Sequence, residues 1–343
     1  MPASPGTCPR TGAAAADRAA PPGTDLSAQQ ALVPVCPDRS TRGPAPRLGP
    51  HYAGKMNATA SSADSAPAAA NGPDLGALQV VVIGAGNMGG PVARTMLDAG
   101  VRPDRLRIAN TSPESSRRAA EALGAAAAES RGDALAEADV VVLGVKPYQI
   151  LDLAAELREQ IPADAVVISL AAGITLAQLE EALPEGRAVV RAMPNTPISV
   201  GEGAVGLMRG SAVTDEQHRL VHALFSRAGV AVDITEEQVH AFIGAAGSLS
   251  AFVFAIIEAM TDEAVRLGLK RDLASTLIQQ TVRGAATMLS ENGIHPAVAK
   301  NGVSSPGGTT VEGLAALERA GMRAGVAAAM SAAAQKSREM TQD

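Results

Sequence analysis

Apolar residues beyond position 77 follow two alternating patterns. Short runs rich in β-branched residues, such as Val80–Ile83, are typical of strands buried on both faces of a parallel sheet. Such runs predict strands over residues 79–83, 106–109, 140–145, 165–170, 188–193 and 230–234. The segments between them predict helices over residues 88–98, 113–123, 150–160, 176–183 and 214–228. This alternation predicts an α/β fold with a doubly wound parallel sheet.

The pattern changes after residue 234, where no further strand is predicted. Helical spacing continues over residues 236–268, 271–291, 309–319 and 322–340. We therefore predict a sheet domain over 77–234 and an all-helical domain over 235–343. Residues 241–257 form a run of 17 without formal charge. This run is shorter than the roughly 20 apolar residues that span a bilayer, so we interpret it as a domain centre or subunit interface, with a transmembrane helix as the alternative.

Residues 1–76 are rich in Ala, Pro, Ser and Gly and lack periodic apolar positions. Such a low-complexity segment buries too little to offset its conformational entropy, so we predict a disordered tail. A targeting peptide is an alternative, although the acidic residues, the prolines and the lack of an apolar stretch count against it. A further alternative is that the protein starts at Met56 and the leading residues are a gene-model artefact.

Composition narrows the possible partners. The net charge of −6 and the aromatic content of 2% disfavour binding to nucleic acid or to an anionic membrane surface. The two cysteines, Cys8 and Cys36, both lie near the start of the chain. The sequence after Cys36 therefore has no thiol nucleophile and no disulfide, and this agrees with a location in the reducing cytoplasm. His218 and His222 lie four residues apart on a polar helix and could bind a metal. We interpret them instead as a solvated helix face, and we predict no metal.

A glycine-rich loop joins the first predicted strand to the first helix. It reads Gly84-Ala85-Gly86-Asn87-Met88-Gly89 and matches G-x-G-x-x-G. In this motif the first glycine allows a tight turn, the second lets the backbone approach a pyrophosphate and the third allows close helix packing. The helix N-terminus then attracts the phosphates. We predict that Gly84, Gly86, Asn87, Met88 and Gly89 bind a dinucleotide; a purely structural turn is the alternative.

The end of the second predicted strand bears on the choice of nucleotide. The sequence there is Asn110-Thr111-Ser112, without the carboxylate that binds the ribose hydroxyls of NAD. Ser112 before Pro113 is typical of a helix N-cap followed by proline at the first helical position. The N-terminus of this second helix, with Arg117 one turn further along it as a possible countercharge, would tolerate the 2′-phosphate of NADP. The pattern favours NADPH, with NADH also possible.

A second loop has the composition of an anion site. Residues 303–310 read Val-Ser-Ser-Pro-Gly-Gly-Thr-Thr and precede a helix predicted to begin near Val311. Hydroxyls, glycines and consecutive N–H groups at a helix start suit a carboxylate. On composition alone, a capped helix start with a flexible turn is the favoured alternative.

From Leu78 onward, the chain resembles the pyrroline-5-carboxylate reductase family. The matching blocks, in order along the chain, lie at residues 83–89, 144–147, 171–174, 193–197 and 303–310. The last block carries the family's signature, whereas the first is shared by many dehydrogenases. The resemblance implies a Rossmann-type domain, an all-α C-terminal dimerisation domain interlocked with a second subunit, and reduction of 1-pyrroline-5-carboxylate to L-proline by NAD(P)H.

The resemblance also implies roles for individual residues. Thr310 would hydrogen-bond the ring nitrogen of the substrate. The substrate carboxylate would be held by Val303, Ser304, Ser305, Gly307 and Gly308. The cofactor cleft would be lined by Asn110, Thr111, Ser112, Val145, Lys146, Pro147, Ala171, Ala172, Gly173 and, near the nicotinamide, Asn195.

The chain departs from the family pattern at two places. Leu249 and Ser250 replace a Gly-Pro pair in the family's Gly-Ser-Gly-Pro-Ala-Tyr, and Thr111 stands where an Arg often follows Asn110. Three other interpretations remain: a reductase of another cyclic imine, a related two-domain dehydrogenase, and a non-catalytic NADP-binding regulator. β-Hydroxyacid dehydrogenases use a lysine in the linking helix, and residues 236–264 contain none.

Overall fold

In the computed structural model, which describes residues 73–342, eight strands form one sheet. The strands are β1 (Val80–Ile83), β2 (Leu106–Ala109), β3 (Ala126–Ala127), β4 (Val140–Leu143), β5 (Val166–Ser169), β6 (Val189–Pro194), β7 (Gly203–Arg209) and β8 (Gly229–Asp233). Their order is β3-β2-β1-β4-β5-β6-β7-β8, so the order reverses between β1 and β4. This is the doubly wound, Rossmann-type α/β fold that the sequence predicted.

Helices cover the sheet and continue beyond it. Those before residue 230 are α1 (Gly89–Ala99), α2 (Pro113–Leu123), α3 (Arg131–Leu135), α4 (Pro147–Leu157), α5 (Leu176–Ala182) and α6 (Asp215–Leu224). Those after it are α7 (Val239–Phe242), α8 (Leu249–Arg266), α9 (Arg271–Asn292), α10 (Pro296–Gly302), α11 (Thr309–Arg319) and α12 (Met322–Gln342). Within residues 235–342 the structure has no strand, which agrees with the prediction of a helical region.

The central strands are uniformly apolar because both of their faces are buried. Val80 and Val82 of β1 belong to the core on one face of the sheet, whereas Val81 and Ile83 belong to the core on the other. β4 divides between the two cores in the same way. Burial on both faces removes the polar alternation of a half-exposed strand, which explains why these runs were recognisable in the sequence.

The last two strands run opposite to the others, a detail that the sequence did not predict. β6 pairs antiparallel with β7, and β8 runs parallel to β7. A short 3-10 turn, Thr196–Val200, reverses the chain between β6 and β7, a connection that only antiparallel strands allow. β7 was not predicted because Gly203 and Gly206 weaken its strand pattern. A Cβ on Gly206 would lie 2.6 Å from the Ile234 side chain, so close packing requires this glycine.

Several predicted elements and boundaries need correction. The short elements β3, α3 and α10 were not predicted. The helix predicted over 150–160 is α4, which begins at Pro147 because proline suits the first helical position. The helix predicted over 236–268 is divided by a π-helical segment, Ile243–Gly247. Leu75, assigned to the disordered tail, packs in the core; the tail up to residue 72 lies outside the described residues.

The helical region leaves many apolar side chains exposed. Phe254 of α8 is 62% exposed, and other exposed residues include Ile256, Leu273, Leu277 and Met288. The segment Glu236–Arg266 is long and apolar enough to cross a membrane by length and composition alone, and 6% of its most apolar window is buried. Because so little of it is buried, the segment is not the centre of a domain within the described part of this chain, and the exposure is consistent both with a subunit interface and with the transmembrane alternative.

Candidate active site

The predicted cofactor residues meet at one edge of the sheet. β1, β2, β4 and β5 end in register, at Ile83, Ala109, Leu143 and Ser169. The carboxyl ends of the parallel strands therefore form one edge, and ligands of such folds bind there, where the strand order reverses. The segments that follow β1, β2, β4, β5 and β6 supply Gly84, Gly86, Asn87, Met88, Gly89, Asn110, Thr111, Ser112, Val145, Lys146, Pro147, Ala171, Ala172, Gly173 and Asn195.

The glycine-rich loop has the geometry of a phosphate cradle. Gly84 has φ of +92°, a conformation that residues with a side chain rarely adopt. A Cβ on Gly89 would collide with the Gly84 carbonyl oxygen. Gly86 is exposed, and a Cβ there would meet no atom within 4 Å, so its backbone faces open space at the start of α1. The loop thus provides a dinucleotide phosphate with both backbone access and a helix N-terminus.

Gly144, the residue that follows β4, is a further part of the cradle that the sequence analysis did not assign. A Cβ at this position would lie 2.6 Å from the Gly84 carbonyl oxygen and 3.2 Å from the Gly89 Cα. The glycine therefore lets β4 approach the loop closely. Its place directly after an apolar strand, within the Gly144–Pro147 block, was the signal that could have identified it.

Asn110 holds the glycine loop in place. Its side-chain oxygen accepts a hydrogen bond from the Ala85 N–H at 2.8 Å, and its amide nitrogen donates to the Ser115 carbonyl at 3.1 Å. The predicted cap at Ser112 is confirmed, because its hydroxyl accepts from the Ser115 N–H. Both polar ends of the Asn110 side chain are therefore used inside the protein, and this residue positions the loop.

A small cavity of about 110 Å³ lies beside the end of β2. The residues that line it include Asn110, Thr111, Ser116, Glu129, Ser130 and Arg131. The cation at this cavity is Arg131 at the start of α3, whereas Arg117, the predicted countercharge, is not among the lining residues. Arg131 was missed because α3 is too short to produce a helical pattern. Its guanidinium also lies 3.4 Å from the Glu156 carboxylate.

Asn195 connects the sheet to the helical region. Its side-chain oxygen accepts from the Ala204 N–H at 2.8 Å, and its amide nitrogen donates to the Ala246 carbonyl at 3.2 Å. The neighbouring Thr196 hydroxyl lies 3.2 Å from the Ser250 hydroxyl. One of the two residues that depart from the family pattern at the start of α8 thus contacts the turn beside the cleft.

A buried ion pair reinforces the same connection. The Arg191 guanidinium on β6 is 1% exposed and lies 2.8 Å from the Glu236 carboxylate, which also accepts from the Leu176 N–H. On α7, His240 hydrogen-bonds the Ser337 hydroxyl of α12 at 2.9 Å. Burial lowers the pKa of His240, and the nearby Arg338 and Arg191 lower it further. The first turns of the helical region are therefore firmly attached to the sheet.

The second loop does not join the cleft within one chain. The loop residues Val303, Ser305, Gly307 and Thr310 are exposed, and within residues 73–342 the hydrogen bonds of 303–310, apart from the backbone ladder of α11, remain between 300 and 312. α11 begins at Thr309 rather than near Val311, because Gly308 serves as its extended N-cap. The predicted substrate residues Val303, Ser304, Ser305, Gly307, Gly308 and Thr310 are thus grouped with one another but not with the cofactor residues.

His218 and His222 do not form the solvated helix face that the sequence predicted. Their side chains are 18% and 33% exposed. Both Nε2 atoms point to one carboxylate oxygen of Asp233 on β8, at 3.1 Å for His218 and 2.8 Å for His222. The prediction failed because the helical spacing alone does not show which strand the helix covers.

Comparison with known protein families gives a match for the sheet region and another for the helical region. Residues 236–340 match the model described as pyrroline-5-carboxylate reductase dimerisation. Residues 79–173 match the model described as NADP oxidoreductase, coenzyme F420-dependent. The pyrroline-5-carboxylate reductase of Arabidopsis thaliana is 39% identical over 265 residues, which is 77% of this chain and 96% of that protein.

Solved structures give the same result. The pyrroline-5-carboxylate reductase of Coxiella burnetii superposes with a TM-score of 0.73 at 33% identity, over 77% of this chain and 98% of that one. The pyrroline carboxylate reductase of Plasmodium falciparum, solved with NADP bound, superposes with a TM-score of 0.69 at 26% identity, over the same shares. The resemblance found in the sequence is confirmed.

Proposed function

The chain belongs to the pyrroline-5-carboxylate reductase family, and from this premise we propose that it reduces 1-pyrroline-5-carboxylate to L-proline with hydride from NADPH. The glycine cradle at the sheet's switch point carries the proposal, because it offers a pyrophosphate open space at Gly86 beside a helix N-terminus. We place the reaction in the cytoplasm, in agreement with a body that lacks cysteine after Cys36.

The residues around the cradle suit a nicotinamide dinucleotide. The backbone of residues 84–89 and the start of α1 would hold the diphosphate, and Asn110 keeps that loop in shape through its bond to Ala85. Lys146, Pro147 and Ala171–Gly173 would line the nicotinamide half of the cleft. Bound there, the cofactor supplies the hydride; the protein's part is to position the substrate and exclude water.

The preference for NADPH rests on the cavity beside β2. Residues 110–112 after β2 contain no carboxylate to bind a ribose 2′-hydroxyl, and Arg131 lines the cavity, together with Glu129, where a 2′-phosphate would add charge. Arg131→Met should lower the ratio of kcat/KM for NADPH to that for NADH by roughly tenfold, the effect of one charged hydrogen bond. Arg117→Met is the matched control and should leave the ratio unchanged. An unchanged ratio in Arg131→Met would contradict the assignment.

The substrate half of the cleft requires a second copy of the chain. The loop 303–310 is exposed and makes no hydrogen bond to the described sheet residues, and the apolar surface of α8 and α9 is largely uncovered. We propose a homodimer, built on the helical region, in which this apolar surface is buried and the second loop of one subunit faces a cofactor cleft. A dimerisation domain at residues 236–340 supports this arrangement.

The reaction requires the side chains mainly to position the substrate next to the cofactor. A protonated cyclic imine is already electrophilic at its C=N carbon, so hydride addition there leaves the nitrogen as the secondary amine of proline. The N–H groups at the start of α11 would hold the substrate carboxylate. Thr310 lies in the first turn of α11, and within residues 73–342 no hydrogen bond uses its hydroxyl, which is available to the ring nitrogen.

An assay of NADPH and NADH oxidation with 1-pyrroline-5-carboxylate tests the proposal. Thr310→Ala should lower kcat/KM about 10- to 100-fold, because a hydrogen bond to a charged group contributes roughly 1.5–3 kcal/mol. Thr309→Ala removes the adjacent exposed hydroxyl and should have little effect. Tight NADPH binding without oxidation of either nucleotide would instead favour the non-catalytic regulator. A fully active Thr310→Ala variant would remove the role given to that hydroxyl.

A further inference from the structure

A cluster of three metal-ligating side chains lies outside the cleft. His218 and His222 occupy successive turns of α6, and Asp233 ends the edge strand β8. The two imidazole rings meet edge to face at 84°, with their centres 4.8 Å apart. One ligand atom from each of the three residues lies within 4.8 Å of the others. The fold thus brings two imidazole nitrogens and one carboxylate oxygen close together.

The separations suit a transition metal. In a tetrahedral zinc site, imidazole nitrogens and carboxylate oxygens lie about 2.0–2.2 Å from the metal and hence roughly 3.3–3.5 Å from each other. The Asp233 oxygen is 3.1 Å from the His218 Nε2 and 2.8 Å from the His222 Nε2. These two separations are a few tenths of an ångström shorter than those of a zinc site, and the ligand atoms all lie within 4.8 Å of one another, so small side-chain adjustments would admit the ion. Two imidazoles and a carboxylate are also a common zinc ligand set.

We propose that His218, His222 and Asp233 form a binding site for Zn²⁺ that links the edge strand β8 to α6. The site has three protein ligands, and Asp233 is exposed enough to leave the fourth position to water. A link to α6 would hold β8 in place, because β8 is an edge strand that, in the described part of the chain, pairs with β7 alone. The inference is independent of the proposed reductase activity.

Neighbouring charges are compatible with a cation. Burial raises the pKa of the Asp233 carboxyl, but the hydrogen bonds from His222 and His218 outweigh it, so this pKa is lowered and the ligand is ionised at neutral pH. Asp215, at the start of α6, is held 2.7 Å from Arg209 and is not a fourth ligand. The Asp233 carboxylate therefore contributes one negative charge to the site.

The surroundings also set the expected affinity. The Nδ1 atom of His218 is buried, and it has no hydrogen-bond partner among residues 73–342. Tight zinc sites give this second ring nitrogen an acceptor, and losing that acceptor typically weakens binding 10- to 100-fold. We therefore expect a micromolar rather than a nanomolar dissociation constant for Zn²⁺.

Calorimetric titration of the full-length, tag-free protein with ZnCl₂ tests the site. Cys8→Ser and Cys36→Ser are included throughout, so that thiols outside the site cannot bind zinc. One equivalent should bind, and His222→Gln and Asp233→Asn should each weaken binding at least about tenfold. His295→Gln, which changes an exposed histidine at the N-cap of α10, is the matched control and should bind like the parent.

Two further measurements keep the outcome decisive. Co²⁺ should give the visible absorption of a tetrahedral nitrogen–oxygen site in the parent protein and not in His222→Gln. Zinc should raise the thermal midpoint of the parent but not that of His222→Gln, because a ligand specific to the folded state stabilises it. Should His222→Gln fail to fold, Asp233→Asn serves in its place. Equal zinc affinity in parent and variants, or no binding by the parent, would overturn the proposal.

Discussion

Individual residues in the nucleotide cleft serve distinct purposes that the motif letters do not distinguish. Gly144 is required by the fold, since a Cβ there would lie 2.6 Å from the Gly84 carbonyl oxygen. Gly86 is not required in this way, since a Cβ would meet nothing within 4 Å. Packing therefore does not require glycine at position 86, whereas the close approach of a pyrophosphate would. The two glycines should therefore respond differently to substitution by alanine.

Gly86→Ala should leave stability nearly unchanged but weaken NADPH binding at least tenfold, because the added methyl group enters the space proposed for the pyrophosphate. Gly144→Ala should destabilise the protein by about 1–3 kcal/mol, the usual cost of overpacking. Urea unfolding and titration of nicotinamide fluorescence measure the two effects. Normal NADPH affinity in a folded Gly86→Ala variant would place the pyrophosphate elsewhere.

At the scale of elements, the sheet and the helical region are joined through β6. Arg191 on that strand reaches Glu236 in the first turn after the sheet, and Glu236 also receives the N–H of Leu176 at the start of α5. Asn195, at the end of the same strand, reaches Ala246. These contacts fix the point where the two regions meet, close to Ala172, which packs against the cluster of Met193, Met208 and Val239.

Glu236→Ala should therefore be strongly destabilising. It leaves the guanidinium of Arg191, which is 1% exposed, without a counterion. Removing one partner of a fully buried pair costs roughly 3–5 kcal/mol, and the partial exposure of Glu236 reduces the expected loss to about 2 kcal/mol. Glu237→Ala changes the adjacent exposed carboxylate and should stay within about 0.5 kcal/mol of the parent. Equal unfolding midpoints for the two variants would show that the pair contributes nothing.

At the scale of the whole molecule, the described part of a single chain leaves the two halves of the proposed site apart. Its cofactor residues converge on one edge of the sheet, while loop 303–310 is exposed on the helical region without a hydrogen bond to the described part of that edge. The uncovered apolar side chains of α8 and α9 need a partner surface. A homodimer answers both requirements at once, because burial of the apolar surface would bring the second loop to a cleft.

Phe254→Glu should convert the dimer to monomers and abolish turnover, because it places a charge in the proposed interface. Val230→Glu is the matched control: Val230 is 51% exposed on β8 and should tolerate the same charge without dissociation. Light scattering coupled to size-exclusion chromatography gives the mass of each variant, and the imine reduction assay gives its activity. A dimeric, fully active Phe254→Glu variant would place the interface elsewhere.

Much of the architecture was accessible from the sequence, for identifiable reasons. β1 and β4 are buried on both faces, so their runs of Val, Ile and Leu are continuous. The helix start at Ser112-Pro113 is set by local capping chemistry, which needs no tertiary contact. The glycine spacing pointed to the proposed phosphate cradle, because each glycine of the motif meets a conformational or packing need of the backbone within a few residues. These features depend either on contacts between residues close together in the sequence or on strands that are buried on both faces.

Tertiary structure decided the rest. The glycine-rich strand β7 exists because its neighbours pair with it, and its antiparallel direction follows from the short turn before it. Arg131 became the cation of the β2 cavity through an element too short to leave a pattern. His218 and His222 turn to Asp233 because α6 packs beside β8. Contacts between residues distant in sequence depend on how the elements pack, and local patterns do not encode that packing.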